Sequence, residues 1–447
     1  MMARMSCDML PGRYATTLCA LAMSLACASV PARAQEASAE EQDSGGTDIL
    51  SAETLTAAAD VRLVGVDGER SWVAGGFGKV RYGGYRPDVP SDFHIEPKFA
   101  EADLIWQPRF TWSLQGTVVA LVQGGEDAQL GLSEAFLSWK PLSGGSIRFQ
   151  ARAGLMWPPV SLEHSGPEWK VTETITPSAI NSWMGEEVKV IGAEFTATVR
   201  PGRHKFSLTG GLFDENDTAG ALLAFRGWAL HDRKATATGK QPLPPLNSFM
   251  TTRQPPYTSP VINMDGRFFG RPGYYVKLSW ELPAPLMVDY LHYDNDGDPK
   301  AVNAELEWGW RTRFNTVGVV ADLTPALQLR AQAMSGSTQM GYSMGGRIWV
   351  DTDFQSAYAL FTRHFERGSV SARGEAFRTR NHGSAVTSKD DEDGWAATLA
   401  ARREIDPRVS LLVEALHVSS DRRARHRANL AAQQSSNQLQ ISLRARW

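Results

Sequence analysis

The connections in this chain come in two lengths, and the lengths alternate. Short ones stand at Gly144-Gly145, Pro201-Gly202-Arg203-His204, Pro283-Ala284-Pro285, Thr324-Pro325-Ala326, Glu366-Arg367-Gly368 and Asp406-Pro407-Arg408. Between them lie longer, polar stretches at 158–187, 214–272, 294–303, 336–346, 381–393 and 420–436. The segments they join alternate apolar and polar residues with a period of two, the mark of a strand with unlike faces. A soluble sandwich gives no reason for connection lengths to alternate. A transmembrane β-barrel does, because one end carries tight turns and the other carries loops.

The last stretch shows the same pattern. Leu439, Ile441, Leu443, Ala445 and Trp447 fall on one parity, and Gln438, Gln440, Ser442, Arg444 and Arg446 on the other. Ile147, Phe149, Ala151 and Ala153 interleave with Arg148, Gln150 and Arg152, and Leu327, Leu329 and Ala331 with Gln328 and Arg330. Repeated charges opposite an apolar face need a hydrated interior, which a packed sandwich core cannot supply. The reading is all-β: a transmembrane antiparallel barrel of about 16 strands, with short periplasmic turns and long extracellular loops. The expected strands run from 71–82, the first, through 95–107 and 304–322 to 437–447. Trp139, Trp157, Trp280, Trp308, Trp310, Trp349, Trp395 and Trp447 are read as interfacial girdle residues.

The amino terminus sets the compartment. Residues 1–14 carry Arg4 and Arg13, residues 15–30 are uncharged, and Pro31-Ala32-Arg33-Ala34 ends in small residues. That is a secretory signal peptide over 1–34, too short in its apolar run to span as a helix. All three cysteines, Cys7, Cys19 and Cys27, fall within it. The mature chain then has no disulfide, thiol nucleophile or thiolate metal site. Cleavage also removes Arg4, Arg13, Arg33 and Asp8, moving the net charge from −3 to −5, which gives no reason to expect nucleic acid. Residues 35–60, rich in Ala, Glu, Ser and Gly, read as a flexible periplasmic leader. The barrel is placed at 61–447, with a small hairpin about Asp67-Gly68 near its start. The expected location is the bacterial outer membrane.

Sixteen strands leave a water-filled channel. The polar parity is expected to line it with Arg148, Gln150, Arg152, Lys205, Lys277, Arg311, Arg313, Arg330 and Arg373, with Arg402 beside them. Glu281, Asp289, Glu307, Glu375 and Glu414 are expected on the same face. This lining reads either as a cation-rich wall drawing anions inward or as a salt-bridged lumen without strong preference. The 158–187 loop is the expected constriction. Its Glu163, His164, Glu168, Glu173, Glu186 and Glu187 would face the basic wall and set a transverse field. The 214–272 loop contains a helical stretch at 219–231 that would plug the pore or lie against a neighbouring subunit. Trp447 reads as an assembly signal for the barrel-assembly machinery.

Some segments resemble a known family. Gly154-Leu-Met-Trp-Pro-Pro-Val-Ser-Leu-Glu-His, running into Thr174-Ile-Thr-Pro-Ser-Ala-Ile-Asn-Ser, is similar to the strand-to-loop region of the phosphate-selective porin O and P family. Tyr293-Asp-Asn-Asp-Gly-Asp-Pro and the Trp-x-Trp-x-Thr-x-Phe run ending at Phe314 are similar to strands of such porins. The resemblance implies a passive, sixteen-stranded, homotrimeric outer-membrane porin in contact with lipid and lipopolysaccharide. It does not imply phosphate as the solute, because the 158–187 loop is more acidic than basic.

Two further signals are weak. Asp294, Asp296, Asp298 and Glu305 follow calcium-loop spacing, but Pro299 stands where that loop needs Gly. The histidines have no catalytic motif around them, so no enzyme, cofactor or metal is expected. The rival readings are an export or structural barrel, serving polysaccharide or an envelope complex, and a barrel hydrolase.

Overall fold

The computed structural model describes residues 49–51, 53–84, 93–124, 129–245, 254–264, 270–384 and 390–447. The expected signal peptide and most of the expected leader lie outside the described residues. Sixteen antiparallel strands close into one barrel. In chain order they are β1 Leu55–Val66, β2 His94–Trp106, β3 Leu114–Gln123, β4 Gln129–Trp139, β5 Ile147–Met156, β6 Val190–Val199, β7 Lys205–Asp214 and β8 Gly273–Glu281. The second half is β9 Leu286–Asp294, β10 Arg311–Thr324, β11 Leu327–Met344, β12 Arg347–Phe365, β13 Gly368–Asn381, β14 Glu392–Asp406, β15 Val409–Arg422 and β16 Gln433–Arg446. Each strand pairs with its sequence neighbours, and β16 closes on β1 with Ala58 opposite Arg446 and Val66 opposite Gln438. The Trp447 N–H donates to the Ala57 carbonyl at 2.9 Å, extending that seam by one residue.

Closure pairs the backbone of every strand on both sides, so no open edge meets lipid. The side chains then divide by parity. On β16, Leu439, Ile441 and Leu443 are exposed outward, whereas Gln438, Gln440 and Ser442 are buried inward. The outward face continues through Leu137, Phe149, Phe195, Leu208, Val276, Leu278, Val317, Phe361 and Leu399. An exposed apolar surface on this scale is stable only against hydrocarbon. No helix among the described residues is long and apolar enough to cross a membrane; the strands form the wall.

Four expectations are corrected. The first wall strand is Leu55–Val66, not 71–82, and it begins inside the expected leader. Its Thr-Ala-Ala-Ala start hides the period of two, because alanine is neither clearly apolar nor polar. The expected hairpin about Asp67-Gly68 is absent: Asp67 follows β1, and its N–H donates to Asn437 O at 3.1 Å. The expected loop at 336–346 is mostly strand, since β11 and β12 run on to a tight turn at Gly345-Gly346. Finally, the tryptophans do not form one girdle. Trp139, Trp280, Trp395 and Trp447 face outward, but Trp157, Trp308 and Trp310 are buried, and Trp349 packs beside Trp308 at 5.3 Å.

Candidate lumen and its inward-folded loops

The interior is occupied by the chain's own connections. The first layer is the β5–β6 connection. It forms a two-residue ribbon, His164–Ser165 against Lys170–Val171, then an extended run, then helix α1 Ala179–Met184. Ser178 caps that helix by accepting from the Asn181 N–H, as serine does at such positions. Irregular backbone cannot be buried with its polar groups unmet, and here the wall meets them. Glu414 accepts from the N–H of Ile175 at 2.6 Å and Thr176 at 2.9 Å, and Glu375 accepts from Ala179 at 2.7 Å. Carbonyls of the same loop are taken by wall donors. Lys277 bonds Pro159 O at 2.9 Å, Gln332 bonds Val160 O at 2.9 Å, and Arg444 bonds Val171 O at 2.7 Å.

Arg373 on β13 is the centre of this docking. Its guanidinium donates to Glu375 at 2.9 Å, Glu163 at 3.0 Å, Thr176 O at 2.8 Å, Pro177 O at 3.0 Å and Thr398 at 3.2 Å. The loop therefore reaches across to the β13–β16 side of the lumen, where Ser369 also donates to Glu173 at 2.6 Å.

A second layer lies toward the loop end. It is built from residues 69–84 and from the β7–β8 connection. The expected helical stretch at 219–231 is helical only over α2 Ala221–Phe225, and that helix is buried in the protein's own lumen. Arg422 on β15 donates to Ala224 O at 2.9 Å and Phe225 O at 3.0 Å. Lys79 donates to Trp228 O at 2.8 Å and pairs with Glu392 on β14. Val80 and Leu230 form a parallel bridge. Arg62 pairs with Asp60 at 2.7 Å and with Asp232 at 2.5 Å, and Arg81 reaches the same Asp232 at 3.2 Å. Arg226 ties the two layers together by gripping Glu187 at 2.5 Å and 2.9 Å.

The expected constriction residues therefore sit differently from the sequence reading. Glu163, His164, Glu173, Glu186 and Glu187 are buried. They do not form an acid row facing an open basic wall, because partners take them. Glu163 faces Arg373, Ser178 and Asn181; Glu173 faces Ser369; Glu187 faces Arg226 and His231. Glu168 is half-buried and pairs with Arg446 at 3.0 Å. Burial pushes the Glu187 carboxyl up, but Arg226 and His231 outweigh it and hold it at about 2. Burial acts the same way on Glu163, and Arg373 with the Ser178 and Asn181 donors brings it below its ordinary value.

His164 and Glu186 meet at 2.8 Å, and His164 Nδ1 lies 2.8 Å from Ser161 Oγ. Burial drives the imidazole down to about 3 and the Glu186 carboxyl well up. The pair is then neutral, with one hydrogen bond between Nε2 and Glu186 and another between Nδ1 and Ser161. Ser161, His164 and Glu186 have the composition of a hydrolytic triad. Yet Ser161 Oγ already accepts from the Glu163 and His164 N–H groups at 3.1 Å each. Its lone pairs serve the turn, and the trio clasps the loop. Trp169 stacks on His164 and on Trp157, and Lys189 sits 3.1 Å over the Trp157 ring.

Of the expected lining residues, Arg148, Gln150, Arg152, Lys205, Lys277, Arg330 and Arg373 fall on inward parities. Arg152 is taken by Glu194 at 2.8 Å and Lys277 by Asp289 at 2.8 Å. Arg311 and Arg313 do not line the lumen. On β10, Thr312, Phe314 and Thr316 are buried inward, which turns both arginines outward. Arg311 pairs with Asp294 at 3.3 Å, and Arg313 reaches Ser337 at 3.4 Å. The Trp-x-Trp-x-Thr-x-Phe row points inward because it meets loop layers rather than water: Trp310 packs on Phe225 and Phe314 on Trp183. The calcium-spaced acids disperse among cations, Asp296 and Asp298 to Arg271 and Glu305 to Lys240. The sequence reading missed Asp60, Arg62, Arg81, Asp232 and Lys234. The last three sit in loops, where periodicity carries no information.

Solved structures share this architecture. The outer-membrane channel DcaP of Acinetobacter baumannii superposes with a TM-score of 0.56 at 9% identity, over 92% of this chain and 100% of that one. The anion-selective porin from Comamonas acidovorans gives a TM-score of 0.50 at 10% identity, over 88% and 99%. The chain has the porin barrel fold. No family model matches it and no curated protein matches it in sequence, so the expected likeness to the porin O and P family is carried back to the porin barrel fold alone.

Proposed function

We propose that this protein is a porin-type channel of the bacterial outer membrane, passing small hydrophilic solutes by passive diffusion with a mild anion preference. The observation that carries the reading is a closed sixteen-stranded barrel, apolar outside and charged inside, crossed by its own β5–β6 loop. The neighbours named above, a channel and an anion-selective porin, support the same class. The turns then face the periplasm and the loops the exterior. The outward face meets lipid and lipopolysaccharide, the barrel-assembly machinery reads the strand ending in Trp447, and three copies assemble into a homotrimer. The two loop layers make the passage narrow and selective by size. No catalysis is assigned to it.

Conductance in planar bilayers tests this. The expected result is small, stable steps in multiples of three, with a reversal potential displaced toward anions in a salt gradient. Folded, heat-modifiable protein that passes no current would refute the channel and favour an export or structural barrel.

A further inference from the structure

Many cations inside this barrel are neutralised by a carboxylate, and a group of them at its turn end is not. At the turn end of β4–β7 a cleft of about 520 Å³ is lined by Lys140, Arg148, Gln150, Arg200 and Lys205. Lys140 follows β4, Arg148 and Gln150 lie on β5, Arg200 follows β6, and Lys205 opens β7. No carboxylate stands among the described residues that line the cleft. Lys205 has Glu281 as a partner. Among the described residues, none holds the side chains of Lys140, Arg148 or Arg200.

We infer that this cleft is a binding site for a small oxyanion carrying two negative charges, presented as carboxylate or phosphate oxygens. This deepens the channel reading, on which it rests, by naming where solute charge is read. The register brings the cations together. Arg148 lies opposite Thr198, and Thr198 opposite Ser207. Adjacent strands are about 4.8 Å apart, so β5, β6 and β7 place their inward side chains within the span of one dicarboxylate. The floor is already satisfied, since Thr198 bonds Ser207 at 2.9 Å and Thr196 bonds Thr209 at 2.8 Å. The cationic groups above it are left for a ligand.

The contrast with the rest of the lumen gives the cleft its meaning. Arg62, Lys79, Arg152, Lys277 and Arg373 are each locked to a carboxylate and hold structure. Two guanidinium groups without such partners keep the planar fork that matches carboxylate and phosphate oxygens in paired hydrogen bonds. The volume falls within the range of small-molecule sites. On the turn side, below the loop layers, the cleft meets a solute as it leaves the narrow passage.

The test is calorimetric titration of the full-length protein in detergent at low ionic strength. Sodium succinate and sodium phosphate are the two probes, and succinamide is the uncharged control. The expected result is saturable binding of at least one dianion at one per chain, no heat from succinamide, and weakening by about tenfold or more in Arg148→Ala/Arg200→Ala. Arg311→Ala/Arg313→Ala, which removes two outward cations, is expected to bind as the parent does. Heat-modifiable migration confirms that each variant is folded. Binding of succinate alone assigns carboxylates, and binding of phosphate alone assigns phosphates; either sustains the site. No saturable binding, or equal binding by the Arg148/Arg200 variant, overturns it. A conducting protein that binds neither dianion loses the site alone. A binding protein that passes no current keeps the site and loses the channel.

Discussion

Arg373→Ala is the sharpest perturbation of the inward-folded loop. The guanidinium is fully buried and makes five hydrogen bonds, two to the carboxylates of Glu163 and Glu375 and two to loop carbonyls. Removing one partner of a buried ion pair costs about 3–5 kcal/mol, because the surviving charge is left without compensation. The barrel wall keeps its pairing, since the backbone of residue 373 stays opposite Leu360 and Thr398. The cost therefore falls on the docked state of the loop. At about 1.4 kcal/mol per tenfold, a loss of about 3 kcal/mol raises the undocked population by about a hundredfold. Hydrogen exchange over residues 171–182 should accelerate by that order, and single-channel records should show larger, noisier steps. Arg373→Met combined with Glu163→Gln removes one of the two stranded carboxylates and should recover part of the protection. Unchanged exchange across 171–182 in Arg373→Ala would refute the view that wall-to-loop ion pairs hold this loop in the lumen.

Other perturbations test neighbouring parts of the same scheme. A Cβ at Gly185 would stand 2.4 Å from the His164 ring and 2.6 Å from Asn181 O, so Gly185→Ala should cost about 1–3 kcal/mol as overpacking, read as faster exchange across the His164–Glu186 clasp. Acid should loosen the contact between the two layers. Glu187 is held at about 2, below the ordinary 4.5, so its stabilisation is complete above pH 4.5 and is lost as pH falls toward 2. Channel noise that rises between pH 4.5 and 2 in the parent but not in Glu187→Gln would match this; identical acid responses would contradict it. The Trp447 side chain is half exposed while its backbone closes the seam on Ala57. Trp447→Ala should therefore slow insertion in cells while leaving the melting temperature of the assembled barrel within a few degrees, and an equal loss in both would count against a signalling role.

Much of this protein follows from local pattern. The period of two in β5, β11 and β16 and the alternation of turns with loops suffice for a barrel of sixteen strands, because lipid outside and polar groups inside impose one rule on every strand. The boundaries of β12 are legible to the residue, 347–365. Local pattern fails where the inner face meets protein instead of water. At the loop end of β10, Phe314 and the preceding Trp310 point inward to pack on loop layers, so polarity alone assigns Arg311 and Arg313 to the wrong side. It fails also at residues 71–82, whose buried alternation imitates a wall strand, and at β1, where alanines blur the faces. The burial of Glu163, Glu186 and Glu187, and the grouping of Lys140, Arg148 and Arg200, were decided by tertiary structure alone. Those contacts join residues far apart in the chain, as with the 210 positions between Glu163 and Arg373. Only closure of the barrel around the loops sets which charges meet and which remain free to meet a solute.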